Sequence, residues 1–197
     1  ELRITPVATA SPINIHCIFN PAIANQLEAR FFGKLKFNYG SSDFSAAESE
    51  LIRLGRTIDG RLDDCEAAKK GREQFVIPLS TLEDLFKADN DLRQNTIIVV
   101  SNKTTDGASG IANPSMQNND TQLYATRTEI YKFTDFIFSA NERDIKYFLG
   151  KGSDSIEDVC KKYNKLIPCI TGCDAHSNDK IFEPSNKKYC WIKANPS

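Results

Sequence analysis

The stretch Leu166-Ile-Pro-Cys-Ile-Thr-Gly-Cys-Asp-Ala-His-Ser177 is where this sequence predicts the chemistry of the chain. Its apolar residues up to Ile170 predict a buried strand. Side chains two residues apart project to the same side of an extended backbone, so Asp174 and His176 would point together from the strand end. A carboxylate and an imidazole that converge suit a divalent metal such as Zn, Mn or Fe. The alternative is a turn in which Asp174 caps a loop and His176 lies on the surface.

The sequence has one other histidine, His16, and it lies in a similar setting. Asn14-Ile-His-Cys-Ile-Phe19 predicts a strand with Asn14 and His16 on one face, and a helix start follows. Upstream, Glu1-Leu-Arg-Ile-Thr5 predicts a short alternating strand with Glu1 on its polar side. Both histidines therefore fall near the ends of predicted strands, where α/β folds assemble their sites.

A third strand is predicted by the β-branched run Thr96-Ile-Ile-Val-Val-Ser101, which is typical of a strand covered on both faces. A polar stretch leaves its C-terminal end, where loops often carry binding residues. Ser101, Asn102 and Asp106 are candidates for substrate contact or for a weak metal ligand. The alternative is ordinary turn chemistry around Asp106-Gly107, and the sequence leaves both interpretations open.

Residues 38–95 predict two or three helices, more than a single crossover between barrel strands needs. Helix starts are predicted at Asn20-Pro21, at the two capping boxes Ser45-Ala-Ala-Glu and Ser80-Thr-Leu-Glu, and at Ser155. Because strands and helices alternate over the second half of the chain, the sequence predicts a parallel α/β architecture.

A basic cluster, Lys69, Lys70 and Arg72, lies within this helical region. It is suited to contact with phosphates, but a solvated helix face is the simpler interpretation.

Composition sets further limits. The 197 residues are 40% hydrophobic and 26% charged, as in an ordinary globular protein, and we expect one domain over 1–197. The formal charge of −1 gives no global case for binding nucleic acid. No apolar run approaches the ~20 residues of a membrane span and no signal peptide opens the chain, so we expect a cytoplasmic protein that does not enter a membrane. Six cysteines without a Cys-x-x-Cys pair predict reduced, mostly structural thiols.

The acidic residue that opens a strand (Glu1), the Ile-Asn-Ile-His sequence that ends at His16, and the late Gly-Cys-Asp-Ala-His together resemble the third and fourth motifs of the PHP (polymerase and histidinol phosphatase) superfamily. Three longer phrases resemble the PHP module of TrlF-like bacterial proteins, in which it is joined to a P-loop, SMC-like ATPase. They are Ser101-Asn-Lys-Thr-Thr-Asp-Gly-Ala-Ser-Gly, Phe136-Ile-Phe-Ser-Ala-Asn and Tyr189-Cys-Trp-Ile-Lys.

The resemblance implies a distorted (β/α)7 barrel with a multinuclear Zn, Mn or Fe site for phosphoester hydrolysis. The chain would be the C-terminal portion of this PHP barrel, incomplete at its N-terminal side, with a helical insertion at about 38–95. Glu1 would match the bridging carboxylate, His16 the third-motif ligand, and Asp174 and His176 the fourth-motif pair, which is also the catalytic pair. The His-x-His of the first motif and the histidine of the second belong upstream of this sequence. Ser101 and Asn102 stand where many members carry a further histidine.

The function that the resemblance implies is a metal-dependent phosphoesterase, acting on nucleic acid or nucleotides and coupled to the ATPase region of the same polypeptide. The alternative is a degenerate barrel that serves the ATPase as a structural or regulatory module.

For the fold of this chain itself, we expect a partly open sheet that lacks its opening strands. The strand at Glu1 and its neighbours should then expose an edge, with Ile13, Ile15 and Phe19 only partly covered. His16, Asp174 and His176 should converge on one mouth.

Overall fold

A computed structural model describes residues 1–5, 13–103, 108, 121–171 and 177–178. The chain divides into two compact units, Glu1–Ile98 and Val99–Ser197.

The first unit combines short strands with helices. Its elements are β1 (Leu2–Ile4), β2 (Ile13–Phe19), a 3-10 helix (Pro21–Gln26), a π-helix (Glu28–Phe32), β3 (Lys36–Tyr39), β4 (Ser42–Ser45), α1 (Glu48–Ile58), α2 (Asp64–Gln74), β5 (Val76–Ile77), α3 (Leu79–Ala88), α4 (Asn90–Gln94) and the start of β6 (Thr96–Ser101).

In this unit β1 is a central strand rather than an edge. It pairs antiparallel with β2, where Leu2 lies opposite Ile15, and parallel with β5, where Arg3 lies opposite Val76. The prediction that the strand at Glu1 exposes an edge was therefore wrong, whereas Phe19 is only partly covered, as predicted. Ile13 and Ile15, expected to be only partly covered, are 2% and 0% exposed, because β1 has a neighbour on both sides and the core closes over β2.

The region 38–95 contains strands as well as helices. β3 and β4 form an antiparallel hairpin, with Gly40 at a φ of 61° in its two-residue turn. The helices α1 and α2 pack closely at two glycines. A Cβ placed on Gly55 would lie 2.0 Å from the carbonyl oxygen of Ala67, and one on Gly71 would lie 2.0 Å from that of Leu51. Both positions therefore require glycine.

Two predicted helix starts were wrong. Ser45 ends β4 and is buried, and α1 begins after Ala47 without a side-chain cap. Likewise α3 begins after Pro78, which places Ser80 inside the helix. In contrast, Asn20 caps the 3-10 helix by accepting a hydrogen bond from the amide of Ala22.

The second unit contains the end of β6 followed by α5 (Thr121–Phe133), β7 (Phe136–Phe138), α6 (Glu142–Phe148), α7 (Ile156–Tyr163) and β8 (Cys169–Ile170). β6 pairs parallel with β7, and β7 pairs parallel with β8. A capping box between Ser155 and Asp158 starts α7, as its sequence predicts. β8 is shorter than the apolar run predicts, because Pro168 has no N–H to donate to a strand ladder.

The described residues thus form a mixed α/β fold with mostly parallel strand pairing, since β1–β5, β6–β7 and β7–β8 are parallel. This confirms the coarse prediction of an α/β architecture. The pairings among the described strands do not close into a barrel, and the PHP barrel stays a prediction.

Candidate functional site

Glu1 and His16 face each other across the first two strands. The β1–β2 register pairs Arg3 with Asn14 and Leu2 with Ile15, so one step further places Glu1 opposite His16. Burial lowers the pKa of His16, and the nearby Glu1 carboxylate opposes that shift. The net decrease in the pKa of His16 favours the neutral imidazole, which is the form that binds metal. Two predicted metal ligands therefore lie side by side.

A cavity of about 350 Å³ adjoins Glu1 in the same unit. Among the described residues, its charged lining besides Glu1 consists of Arg3, Lys69, Arg72 and Glu73. Arg3 is held in place because its Nη1 donates to the carbonyl oxygen of Glu73 at 3.0 Å. An apolar floor completes the cavity, formed by Leu2, Phe32, Ala46, Leu51 and Phe75.

Lys69 and Arg72 of α2 are exposed, as a solvated helix face predicts, but their position at this cavity was not predicted. Lys69 and Arg72 are three residues apart, so they lie on one helix face, and both line the cavity, whereas Lys70 is not among its lining residues. The helical spacing was the available signal. It does not reveal that this face lies beside Glu1, because that follows from the tertiary packing of α2. The result is three cations around a carboxylate predicted to hold metal.

Ser101 and Asn102, the predicted substrate contacts, lie at the C-terminal end of β6 in the second unit. The Ser101 hydroxyl accepts a hydrogen bond from the amide of Lys103 at 3.2 Å. The Asn102 Oδ1 accepts one from the hydroxyl of Tyr131 at 2.5 Å. Asn102 lines a cavity of about 820 Å³ in this unit. Whether either side chain contacts a substrate stays a prediction.

Asp106, Asp174 and His176 lie outside the described residues. Their predicted roles as substrate contact, catalytic residues and metal ligands therefore stay predictions, as does the convergence of His16 with the last two.

The described part of the chain contains no group of three or more His, Cys, Asp or Glu side chains that could hold a metal ion. Glu1 and His16 supply a carboxylate and an imidazole, a donor pair that fits Zn, Mn or Fe. A catalytic site needs at least three protein ligands. Completing the site from these two residues therefore requires donors such as Asp174 and His176.

Comparison with protein-family models found no match, and comparisons with curated proteins and with solved structures found none either. Within the described ranges, every helix is too short or too polar to cross a membrane.

Proposed function

We propose that this chain is part of a PHP-type, metal-dependent phosphoesterase, coupled in the full protein to a P-loop ATPase region. One observation carries the proposal, namely the pairing of Glu1 with His16 beside a cavity that Arg3, Lys69 and Arg72 line. The sequence resemblance assigns metal binding to the first two residues. The cations supply the positive charge that a phosphoester needs nearby.

In this proposal Glu1 and His16 hold metal from two adjacent strands, and Asp174 and His176 complete the ligand set. Bound divalent ions supply Lewis-acid polarisation of a phosphoryl oxygen and a water of lowered pKa. Lys69 and Arg72 attract the phosphate. Their positive charge offsets the repulsion between the phosphate and the carboxylates that bind the metal. Burial lowers the pKa of His16, which favours the neutral imidazole that metal binding needs.

The proposed substrate is a phosphoester of nucleic acid or of nucleotides. Its supports are the ATPase partner that the resemblance implies and the cationic cavity lining, which fits a phosphate without selecting a base. The proposed metals are Zn, Mn or Fe.

The test is hydrolysis of bis(p-nitrophenyl) phosphate by the intact protein with added Mn or Zn. His16→Ala and His176→Ala should each lower kcat/KM at least about 100-fold, because a metal ligand is lost, while ATP hydrolysis continues. Asn14→Ala, on the same face of β2, is the matched control. Undiminished phosphodiester hydrolysis by both histidine variants would refute the assignment.

A second experiment distinguishes the role of the cationic side chains, which is substrate binding, from the role of the metal ligands. Lys69→Ala and Arg72→Ala should raise KM severalfold with a smaller effect on kcat, because they contact substrate rather than metal. Lys87→Ala on α3 is the control, since its exposed side chain pairs with Glu83 and Asp84. Equal KM values for all three variants would show that Lys69 and Arg72 do not contact the substrate.

The second candidate function is a degenerate barrel that serves the ATPase as a structural or regulatory module. Ser101 and Asn102 favour it, because they stand at a strand end where many PHP proteins carry histidine. Under this alternative, the histidine variants would leave a basal phosphodiester rate unchanged and alter ATP hydrolysis instead.

A further inference from the structure

The cavity of about 820 Å³ in the second unit is large enough for a small organic ligand, since ligand pockets typically span ~300–1,000 Å³. It opens at the C-terminal end of β6, where Asn102 lines it. Residues of α5, α6 and α7 and of the loop between α6 and α7 also line it. Sites at the carboxyl ends of parallel strands are common in α/β proteins.

Two guanidinium groups in this cavity have no carboxylate partner among the described residues. Arg127, on α5, is half-buried, and its guanidinium carbon lies 5.7 Å from the centroid of the Tyr124 ring. Arg143, on α6, also lines the cavity, and no ion pair joins it to a described carboxylate. Arginine presents a planar fork of donors that matches phosphate and carboxylate oxygens. Within the described part of the chain, both guanidinium groups are therefore available to bind an anion.

The other charges of the cavity are largely committed. Lys146 lies 3.6 Å from the carboxylate of Glu142, one turn earlier on α6. The carboxylate of Asp144 accepts a hydrogen bond from the hydroxyl of Ser139 at 2.6 Å. Among the described lining residues, three cations and two carboxylates sum to +1, and within this set Arg127 and Arg143 are the cations without a carboxylate partner.

An aromatic wall faces the same cavity. The rings of Tyr131, Phe148 and Tyr163 pack together, with centroids 5.1 to 5.9 Å apart. Tyr147 is only half-buried, and its ring packs edge-on against Phe148 at 5.1 Å. Lys162 fixes the phenol of Tyr147 by donating to its oxygen at 3.0 Å. A fixed, partly open ring is suited to stacking with a flat ligand.

We propose that this cavity binds an organic phosphate that carries a flat ring, the chemistry of a nucleotide. Arg127 and Arg143 hold the phosphate, the ring lies against Tyr147, and Asn102, positioned by Tyr131, hydrogen-bonds to the ligand. This site uses no metal and lies in a different unit from Glu1 and His16, so it does not depend on the proposed phosphoesterase activity.

The test is isothermal titration calorimetry of the 197-residue chain in the presence of EDTA, with AMP, adenosine and inorganic phosphate as separate probes. AMP should bind, and the two part-ligands should each bind at least about tenfold more weakly. Arg127→Ala and Arg143→Ala should each weaken AMP binding about tenfold or more, because charged hydrogen bonds are lost. Tyr147→Leu should weaken AMP and adenosine but leave phosphate unchanged.

Lys132→Ala is the matched control, since Lys132 is on the same helix as Arg127 and pairs with Glu129 at 2.7 Å. It should leave the affinity for AMP unchanged. Arg143 is exposed, so its variant keeps the test decisive if Arg127→Ala fails to fold. The proposal is overturned if AMP does not bind, if it binds no tighter than phosphate, or if the arginine variants match the control. These outcomes leave the metal-dependent proposal untouched, because no metal is present.

Discussion

Replacing Gly71 by alanine tests the close packing of α1 against α2. The new Cβ would lie 2.0 Å from the carbonyl oxygen of Leu51 and 2.7 Å from its carbonyl carbon. Both are backbone atoms inside α1, so they cannot turn aside as a side-chain end would. To reach even a tight separation of about 3 Å, the helices must move apart by about 1 Å, which disturbs the densely packed interior between them.

The change in unfolding free energy caused by Gly71→Ala is the difference between two opposing effects. Alanine in a helix interior is favoured over glycine by ~1 kcal/mol. Overpacking a well-filled core costs ~1–3 kcal/mol, occasionally more. Because rigid backbone opposes the methyl group, we place the overpacking cost at or above the upper end of that range. The variant should then lose ~2 kcal/mol or more of unfolding free energy, which lowers Tm by at least ~4–8 °C in a chain of this size.

The measurement is urea unfolding followed by circular dichroism, with Gly60→Ala as the matched control. A Cβ at Gly60 meets its nearest neighbour, the carbonyl oxygen of Arg56, at 3.8 Å, which is an ordinary contact. That variant should be neutral or gain up to ~1 kcal/mol through a less flexible unfolded chain. If Gly71→Ala is as stable as Gly60→Ala, the two helices do not approach as closely as described.

Two further predictions concern charge and thiol chemistry. Hydrogen bonds from Arg30, at 2.5 and 2.8 Å, hold the pKa of the Asp89 carboxyl below its usual range. The charged form is therefore stabilised by folding, and Asp89→Asn should lower Tm at pH 7, with the gap to wild type narrowing below about pH 4; a gap constant with pH would contradict this. Burial raises the pKa of the Cys169 thiol to about 12, whereas Cys65 is exposed, so peptide mapping after brief iodoacetamide treatment at pH 8 should find Cys65 labelled and Cys169 protected.

Local sequence signals predicted the elements whose formation depends on neighbours in the chain. β2 and β6 follow from runs of β-branched and apolar residues, and the caps at Asn20 and Ser155 follow from side chains that reach their own helix amides. The capping pattern at Ser45 failed because pairing between β3 and β4 extends the strand through that residue. β5 was missed since Val76-Ile77 is too short to show a pattern, and its pairing with β1 is what defines it as a strand.

The sequence likewise predicted only those features of the candidate site that depend on local sequence. The sequence identified Glu1 and His16 as residues of suitable chemistry, because side-chain alternation places each on the polar side of its strand. That they lie opposite each other depends on the β1–β2 register, which a single sequence does not specify. The position of Lys69 and Arg72 beside Glu1 depends on how α2 packs, and helical spacing alone carries no information about that.

The position of β1 between two partners has a consequence for biosynthesis. Its antiparallel partner is close in sequence, but Val76, which lies opposite Arg3, is synthesised 73 positions later in the chain. Until then the growing chain on the ribosome presents β1 with one side of its backbone unpaired, and such an edge can pair with another nascent chain. The long separation also raises the contact order of the first unit, so this ladder should form late in folding. The two residues of β5 thus complete the sheet around the strand that carries Glu1 at its start.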